Sequence, residues 1–329
     1  MRPPRRTIDF LVDGPGGKLS LALLLVLAGL ALATVLAFAA PLGWPFELFA
    51  HFRAQYAVAA ALLAMLLLFV RRPGAAIVAG AIAALHALPA LQRTFADDPV
   101  AACGGPAFTV VTANLQYSNR DTNRFLDWLA SNPADLVVLQ EVTGNWADAL
   151  SRVSGYPQQK LLLREDAYGI GMMSRWPLRS IERLDFAADG RPSLSGDLLI
   201  EGRPVRFLAL HTRWPILPHL AASRDRSLDA AAVSLRAGDG PAVALGDLNL
   251  TAYSPVFARF LESAGLRDAL EEPRWSPTWI AGFWPLALRI DHVLVSPDLC
   301  VEHVEVGPSI GSDHRPVIAR LRLASPAVR

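Results

Sequence analysis

Polar side chains that could carry acid–base or metal chemistry stand at the ends of apolar runs in the second part of the chain. Six runs carry such a group, namely Asn114 after FTVVTA, Glu141 after LVVLQ, His211 after RFLAL, Asp247 and Asn249 around AVALGDLN, Asp291 before HVLV, and Asp313 and His314 before RPVIARLRL. Any one of them is typical of a turn residue. Because strand ends on one edge converge in space, the whole set predicts one shared site.

The side chains in this set indicate a particular chemistry. No cysteine belongs to it, which excludes a thiolate nucleophile. Carboxylate and carboxamide oxygens suit a hard cation such as Mg²⁺ or Mn²⁺. Histidines paired with aspartates suit proton transfer or the stabilisation of developing charge. Together these groups fit metal-assisted attack of water on phosphorus.

The apolar runs that would position these groups alternate with helical patterns. FTVVTANL is rich in β-branched residues and predicts a strand, whereas DTNRFLDWLASN and HLAASRDRSLDAAAVSLRAG predict helices. Near the carboxyl terminus, strands follow one another without helices between them. The pattern therefore predicts an α/β fold whose sheets are not purely parallel.

The first ninety residues carry three long apolar runs instead. A bilayer core is crossed by about 20 apolar residues, so we expect transmembrane helices over 19–40, 54–70 and 75–91. The first run is too long for a cleaved signal peptide. The third is short and contains His86 and Pro89, so a buried or interfacial helix is the alternative. We expect a membrane region over 1–92 and a linker over 93–106.

The basic residues predict the orientation of these helices. The amino terminus and the Arg71-Arg72 turn are basic, and basic loops stay in the cytoplasm. Three spans would then place the second part of the chain outside the cell membrane. In an oxidising compartment Cys103 and Cys300 could pair, although two separate buried thiols fit the sequence equally well.

Six short motifs in the second part of the chain resemble those of the endonuclease/exonuclease/phosphatase superfamily, and they occur in the order typical of that family over about residues 107–323. They are TANLQ, LQE, LALHT, GDLN, IDHVLVS and SDHRPV. The resemblance implies an α/β four-layer sandwich of two packed mixed β-sheets flanked by helices. Some bacterial members also resemble this chain in having hydrophobic spans ahead of the domain. That likeness implies a multi-pass protein of the bacterial inner membrane with a periplasmic or extracellular domain.

The resemblance also implies roles for the matching residues. It implies that Mg²⁺ or Mn²⁺ is held by three metal ligands, which are Glu141, Asn114 and Asp313. The implied catalytic residues are Asp247 to orient or activate the water, Asn249 to hold the phosphate, His314 to face it with support from Asp291, and His211 as a second imidazole. Arg175 and Arg289 also recur in related sequences, and we interpret them as supporting residues.

The implied activity is a membrane-anchored, metal-dependent phosphoesterase that hydrolyses a phosphodiester or phosphomonoester. The substrate stays open among a nucleic acid, a phospholipid headgroup and a small molecule. The slightly acidic second part of the chain disfavours a long polyanion. Gln116 stands where abasic-site endonucleases have an aspartate, which weakens the hypothesis that abasic-site DNA is the substrate. An inactive binding or scaffold module of the same fold is the alternative, and the oligomeric state stays open.

Four tryptophans fall in loops after the matching strands, namely Trp214, Trp275, Trp279 and Trp284. They could line a substrate pocket or meet lipid headgroups, because tryptophan favours the membrane interface. Packing in the core is the alternative for at least two of them.

Overall fold

The computed structural model describes residues 15–94, 103–270, 276–280 and 282–325, and the chain divides into two compact units, Met1–Ala96 and Asp97–Arg329. The described part of the first unit is helical. Its helices are α1 (Pro15–Phe38), α2 (Glu47–Ala50), α3 (Arg53–Phe69) and α4 (Pro73–Thr94), with a 3-10 turn at Ala40–Leu42.

One described helix is long and apolar enough to cross a membrane. Its segment Gly17–Phe38 has 22 residues and a mean hydropathy of 2.8, and only 17% of its most apolar stretch is buried. The other two predicted spans correspond to shorter apolar helices, Arg53–Phe69 and Pro73–Leu88. An apolar helix near the amino terminus indicates a membrane anchor or a signal sequence, so the multi-pass arrangement stays a prediction. Of the predicted linker, residues 95–102 lie outside the described residues.

The second unit contains two mixed β-sheets of six strands each. Its strands are β1 (Ala107–Asn114), β2 (Leu136–Gln140), β3 (Gln158–Leu162), β4 (Ile170–Ser174), β5 (Leu178–Leu184), β6 (Ser193–Ile200), β7 (Arg203–His211), β8 (Ala242–Asp247), β9 (Arg267–Asp268), β10 (Asp291–Val295), β11 (Leu299–Val306) and β12 (Val317–Leu323). The first sheet has the order β11-β12-β1-β2-β4-β3, and the second has the order β5-β6-β7-β8-β10-β9.

Strand direction determines which residues share an edge. In each sheet one central pair is parallel, β1 with β2 and β7 with β8, whereas β12 and β10 run antiparallel to their neighbours β1 and β8. The carboxyl ends of β1, β2, β7 and β8 therefore share an edge with the amino ends of β10 and β12. These are the strand ends that carry the polar groups singled out in the sequence.

The two sheets pack face to face through an apolar core. Its buried side chains come from both sheets, as in Val110 and Leu136 of the first and Phe207 and Val243 of the second. Helices cover the outer faces, namely α5 (Asn123–Ser131) and α6 (Gly144–Leu150) on the first sheet and α7 (Pro218–Arg236) and α8 (Pro255–Ala264) on the second. The expected α/β four-layer sandwich is confirmed.

A disulfide joins Cys103 to Cys300, whose Cα atoms lie 6.1 Å apart. The sequence left this pairing open. Cys300 lies at the start of β11, and β1 begins a few residues after Cys103. Because β1 runs from this end to Asn114, the disulfide is separated from the polar strand ends by roughly 20–25 Å of strand.

Candidate active site

Sheet register brings three of the predicted residues onto neighbouring strands. His211 of β7 pairs with Asp247 of β8, and Asp247 pairs with Asp291 of β10. Neighbouring strands lie about 4.8 Å apart, so residues on one rung come within reach of each other. On the facing sheet, Asn114 pairs with Gln140, which puts Glu141 beside Asn114.

The Asp247 carboxylate lies at the centre of this group. Its Oδ2 atom accepts a hydrogen bond from Asn114 Nδ2 at 3.1 Å and lies 3.6 Å from His211 Nε2 and 3.8 Å from His314 Nε2. Its Oδ1 atom accepts from the backbone N–H of Asn249 at 2.9 Å. One oxygen of a buried carboxylate therefore faces both imidazoles.

The His314 imidazole is held by a second buried aspartate. His314 Nδ1 lies 2.8 Å from Asp291 Oδ2, and the Asp291 side chain is fully buried. The buried Thr278 hydroxyl accepts hydrogen bonds from the backbone N–H groups of Ile290 and Asp291 and so fixes the start of β10. The remaining ring nitrogen of His314 is thereby directed towards Asp247.

Asn114 links the two sheets at this edge. Its amide nitrogen donates to Glu141 Oε1 at 3.0 Å as well as to Asp247, and its oxygen accepts from the backbone N–H of Gln116. The second oxygen of Glu141 accepts from the backbone N–H of Tyr117 at 2.8 Å. In this arrangement Asn114 holds two carboxylates in place with its nitrogen.

Asp313 lies on the exposed side of the same group. Its Oδ2 accepts from the indole N–H of Trp279 at 3.2 Å, and its backbone N–H donates to Gln116 Oε1 at 3.2 Å. Ser312 donates its hydroxyl to the Asn114 carbonyl at 2.8 Å. These bonds connect the loop before β12 to the loop after β1.

Three residues at these strand ends have a left-handed backbone. The φ angles are 59° at Gln116, 61° at Glu141 and 49° at Asn249. Non-glycine residues rarely adopt this conformation, and such backbone strain is concentrated at functional sites. The turn at each position ends the strand and leaves the neighbouring polar side chains at the shared edge.

The two histidines of the site have very different pKa values. Burial lowers the pKa of His314, but the charge of Asp291 and its hydrogen bond outweigh burial and raise that pKa to about 10. Burial, together with the positive charges of Arg191 and His314, lowers the pKa of His211 to about 3. At neutral pH the site therefore has one imidazolium and one neutral imidazole.

The buried carboxylates also differ from each other in pKa. Burial alone would raise the pKa of Asp291, but the charge of His314 and its hydrogen bond hold that pKa below the usual range. Burial, followed by the Asp291 charge, raises the pKa of Asp247 to about 7. Burial also raises the pKa of Glu141, despite its hydrogen bonds to Tyr117 and Asn114. These shifts favour a positive group at the site, which would relieve the crowded carboxylates.

The structure therefore brings all eight predicted residues to one edge of the sandwich, although it arranges them in two groups. Ligand atoms of Asp247, Asp291 and His314 all lie within 4.8 Å of one another. The predicted metal ligands Glu141 and Asn114 adjoin this group through Asp247, and Asp313 lies on its exposed side. Asn249 is fixed by a bond from its Nδ2 to the Thr212 carbonyl at 3.0 Å.

Sequence reasoning missed a buried arginine beside His211. The Arg191 guanidinium stacks on the Tyr168 ring, 3.5 Å from its centroid, and the Tyr168 ring lies 6.1 Å from that of His211. The Arg191 nitrogens have no hydrogen-bond partner of good geometry within the described part of the chain, although the Tyr168 side chain interacts with them and Asp189 lies 3.8 Å away. No sequence pattern relates Arg191 to His211, because the register of the β6–β7 hairpin brings the residues just before β6 beside the end of β7.

The two arginines interpreted as supporting residues lie apart from each other. Arg175 follows Ser174, which pairs with Leu136 at the end of the sheet opposite Gln140. Arg289 binds Asp268 through two bonds of 2.6 and 3.2 Å, and His292 Nδ1 lies 3.2 Å from the same carboxylate. Burial raises the pKa of Asp268, but these two neighbours outweigh it and hold that pKa below its ordinary value. The side chains of Asp268, Arg289 and His292 therefore stabilise the start of β10, where Asp291 lies.

Carboxylates and histidines gathered at one edge of a two-sheet sandwich are typical of the active sites of hydrolases. The Endonuclease/Exonuclease/phosphatase family model matches residues 111–314, so the chain belongs to that family. The family name covers enzymes that hydrolyse phosphate esters. None of the curated proteins matches the chain.

Solved structures share the fold at low sequence identity. TDP2 from D. rerio, crystallised with a single-strand DNA product, is 17% identical over 66% of this chain and 99% of its own, with a TM-score of 0.57. A 3′ phosphatase from Neisseria bound to a product DNA hairpin is 21% identical over 64% and 98%, with a TM-score of 0.55. Sphingomyelinase C from Streptomyces griseocarneus is 20% identical over 65% and 99%, with a TM-score of 0.50.

Proposed function

We propose that this protein is a membrane-anchored, divalent-metal-dependent phosphoesterase that hydrolyses a phosphodiester. The observation that carries the proposal is the position of Asp247, whose Oδ2 atom faces both His211 and His314. A proton acceptor, a cationic imidazole and a neutral imidazole close together can assist water attack on phosphorus by taking up a proton and by stabilising the phosphoryl oxygens.

In the proposed reaction a water oxygen forms a new bond to phosphorus and the P–O bond to the leaving group breaks. Asp247 accepts the proton that the attacking water loses. The leaving oxygen takes up a proton from solvent and departs as an alcohol. The His314 imidazolium, kept charged by Asp291, stabilises the negative phosphoryl oxygens, and neutral His211 positions them from the other side.

The donor set fits a divalent cation. Glu141 and Asp313 supply carboxylate oxygens, which Mg²⁺ and Mn²⁺ prefer, whereas Asn114 presents its amide nitrogen to Glu141 and would position that ligand. Asp291 Oδ1 is buried and has no hydrogen-bond partner among the described residues, and the pKa shifts at this edge favour added positive charge. The bound cation would neutralise phosphate charge and polarise the phosphoryl group.

Arg191 supports an anionic substrate. Its buried guanidinium has donors without hydrogen-bond partners in the described residues, and it lies beside His211 through the Tyr168 ring. A planar guanidinium is well suited to bidentate recognition of phosphate oxygens. We expect it to bind a phosphate oxygen that projects past His211.

A location outside the cytoplasm is supported by two features. The Gly17–Phe38 helix is apolar and long enough to anchor the chain, and the Cys103–Cys300 disulfide is typical of an oxidising compartment. Thiol labelling of intact cells tests this. The cysteines should resist a maleimide reagent until a reductant is added, whereas labelling without reductant would contradict the location.

The activity is tested with the purified full chain and bis(p-nitrophenyl) phosphate, in Mg²⁺, in Mn²⁺ and in EDTA. Asp247→Asn and His314→Gln should each lower the rate by about 10²–10⁴-fold, because general acid–base groups contribute on this scale. Val233→Ser, an exposed change on α7, is the control and should leave the rate unchanged. If the native chain hydrolyses no phosphate ester with any metal, the inactive binding module is the better description.

A further inference from the structure

Two loops beside the active site expose large apolar side chains to solvent. The segment after β7 exposes Trp214 by 55%, together with Ile216 and Leu217. The segment before β10 exposes Phe283 by 55%, together with Trp284 and Leu286. Isolated exposed apolar residues are ordinary, but a group of six around a site indicates an interaction surface. We call these six residues the apolar rim.

Ring and backbone contacts make the apolar rim continuous with the site. The Trp214 ring lies 6.1 Å from that of Trp279, which joins the two loops. The Trp279 indole donates to Asp313, and its backbone forms bridges with Leu288 and His314. The rim therefore lies next to the exposed Asp313 and the buried His314.

The composition of the rim favours one class of partner. Residues 212–217 and 282–290 contain no acidic residue and no lysine. Their two arginines are engaged, Arg213 with Asp189 at 2.9 Å and Arg289 with Asp268 at 2.6 Å. A nucleic-acid strand needs cations along its backbone and flat rings for its bases. Aliphatic Ile216, Leu217 and Leu286 offer neither, but they suit insertion among acyl chains, and tryptophan suits the headgroup level.

We propose that the apolar rim docks on the surface of a phospholipid bilayer, so that the site takes the phosphodiester of a lipid headgroup. This inference rests on the proposed function and names its substrate class. Phospholipid phosphates lie at the interface, just above the depth that such side chains reach. The anchor helix Gly17–Phe38 in the same chain would keep the enzyme at a membrane.

The first experiment compares two substrates for the full chain. Release of water-soluble phosphate products is measured from vesicles that contain phosphatidylcholine, phosphatidylglycerol and sphingomyelin, and hydrolysis of bis(p-nitrophenyl) phosphate is measured in detergent. The double variant Phe283→Ser/Trp284→Ser should lower the ratio of vesicle rate to soluble rate by roughly tenfold or more, because it removes two inserted side chains. Val233→Ser, at an exposed residue on α7, should leave the ratio unchanged.

The second experiment does not depend on activity. Phe283→Cys carries an environment-sensitive fluorophore, and the native cysteines are protected in their disulfide. In vesicles that contain brominated phosphatidylcholine, its emission should shift to the blue and be quenched. The same fluorophore on Val233→Cys, which is 71% exposed in the native chain, should stay in water.

The outcomes separate this inference from the proposed function. Absence of hydrolysis of every ester by the native chain refutes the proposed function, whereas the fluorophore still tests docking. Hydrolysis of the soluble ester without a rim effect on vesicles, and with position 283 in water, refutes the docking alone. Cleavage of single-stranded DNA that depends on the rim, with no lipid hydrolysed, also overturns it and assigns the rim to base stacking.

Discussion

Reduction of the Cys103–Cys300 disulfide should destabilise the second unit strongly. The two cysteines are separated by 197 residues, so the bond closes a loop that spans nearly the whole unit. In the chain-entropy model a loop of this length removes roughly 18 cal/mol/K from the unfolded state, or about 5 kcal/mol at 25 °C. For a domain of this size the loss corresponds to a fall in melting temperature of about 10–20 °C.

The assay is thermal unfolding of the full chain in detergent, followed by near-ultraviolet circular dichroism with and without dithiothreitol. The double variant Cys103→Ser/Cys300→Ser is the control, and it should melt at the lower temperature in both conditions. Because the bond lies at the end of β1 opposite Asn114, the rate per folded molecule should not change below the melting range. An unchanged melting temperature on reduction would refute the reasoning.

The remaining predictions concern the groups that support the site. Asp268→Asn should lower the free energy of unfolding by about 3–5 kcal/mol at pH 7, since it breaks a buried ion pair. The folded-state pKa of Asp268 is depressed, so the stability that its carboxylate contributes is complete above about pH 4 and is lost as pH falls. Urea titrations in which the variant is less stable than the native chain by the same amount at every pH would contradict this. Gly246→Ala should destabilise the fold far more than Gly202→Ala in thermal melts, because its Cβ would lie 1.8 Å from a carbonyl oxygen whereas that of residue 202 would meet nothing within 4 Å. Trp279→Phe removes the donor to Asp313, so half-maximal activity should require roughly tenfold more Mg²⁺, and an unchanged requirement would argue against Asp313 as a ligand.

Much of the architecture follows from local patterns. Alternation and β-branched residues predict the strands. Consecutive strands without helices between them cannot all be parallel, which predicts mixed sheets, and the α/β class with mixed sheets is confirmed. At the amino terminus, the lengths of the apolar runs do not determine how many helices cross the membrane. Three apolar runs predict three spans, one described helix is long and apolar enough to cross a membrane, and Arg53–Phe69 and Pro73–Leu88 are shorter apolar helices, so the three-span arrangement stays a prediction.

The pairings inside the site could not be predicted in the same way. Register decides that Asp247 lies between His211 and Asp291, and packing between the sheets decides that Asn114 reaches Asp247. Thr278 precedes the backbone groups that it holds by 12 and 13 residues, Arg191 is separated from His211 by the β6–β7 hairpin, and no motif marks either one. Their contacts depend on the conformation of the loop before β10 and on the register of the β6–β7 hairpin, which local sequence does not encode.

The sequence by itself determined which side chains are available and that they stand at strand ends, because hydrophobic periodicity and turn residues act over a few neighbours. It also determined the family, through motifs whose order along the chain is recognisable. Only the tertiary structure decided which carboxylate is paired with His314, which histidine stays neutral, and that Cys103 meets Cys300. Such outcomes depend on distance and burial in three dimensions, and both arise only when the two sheets close over a common core.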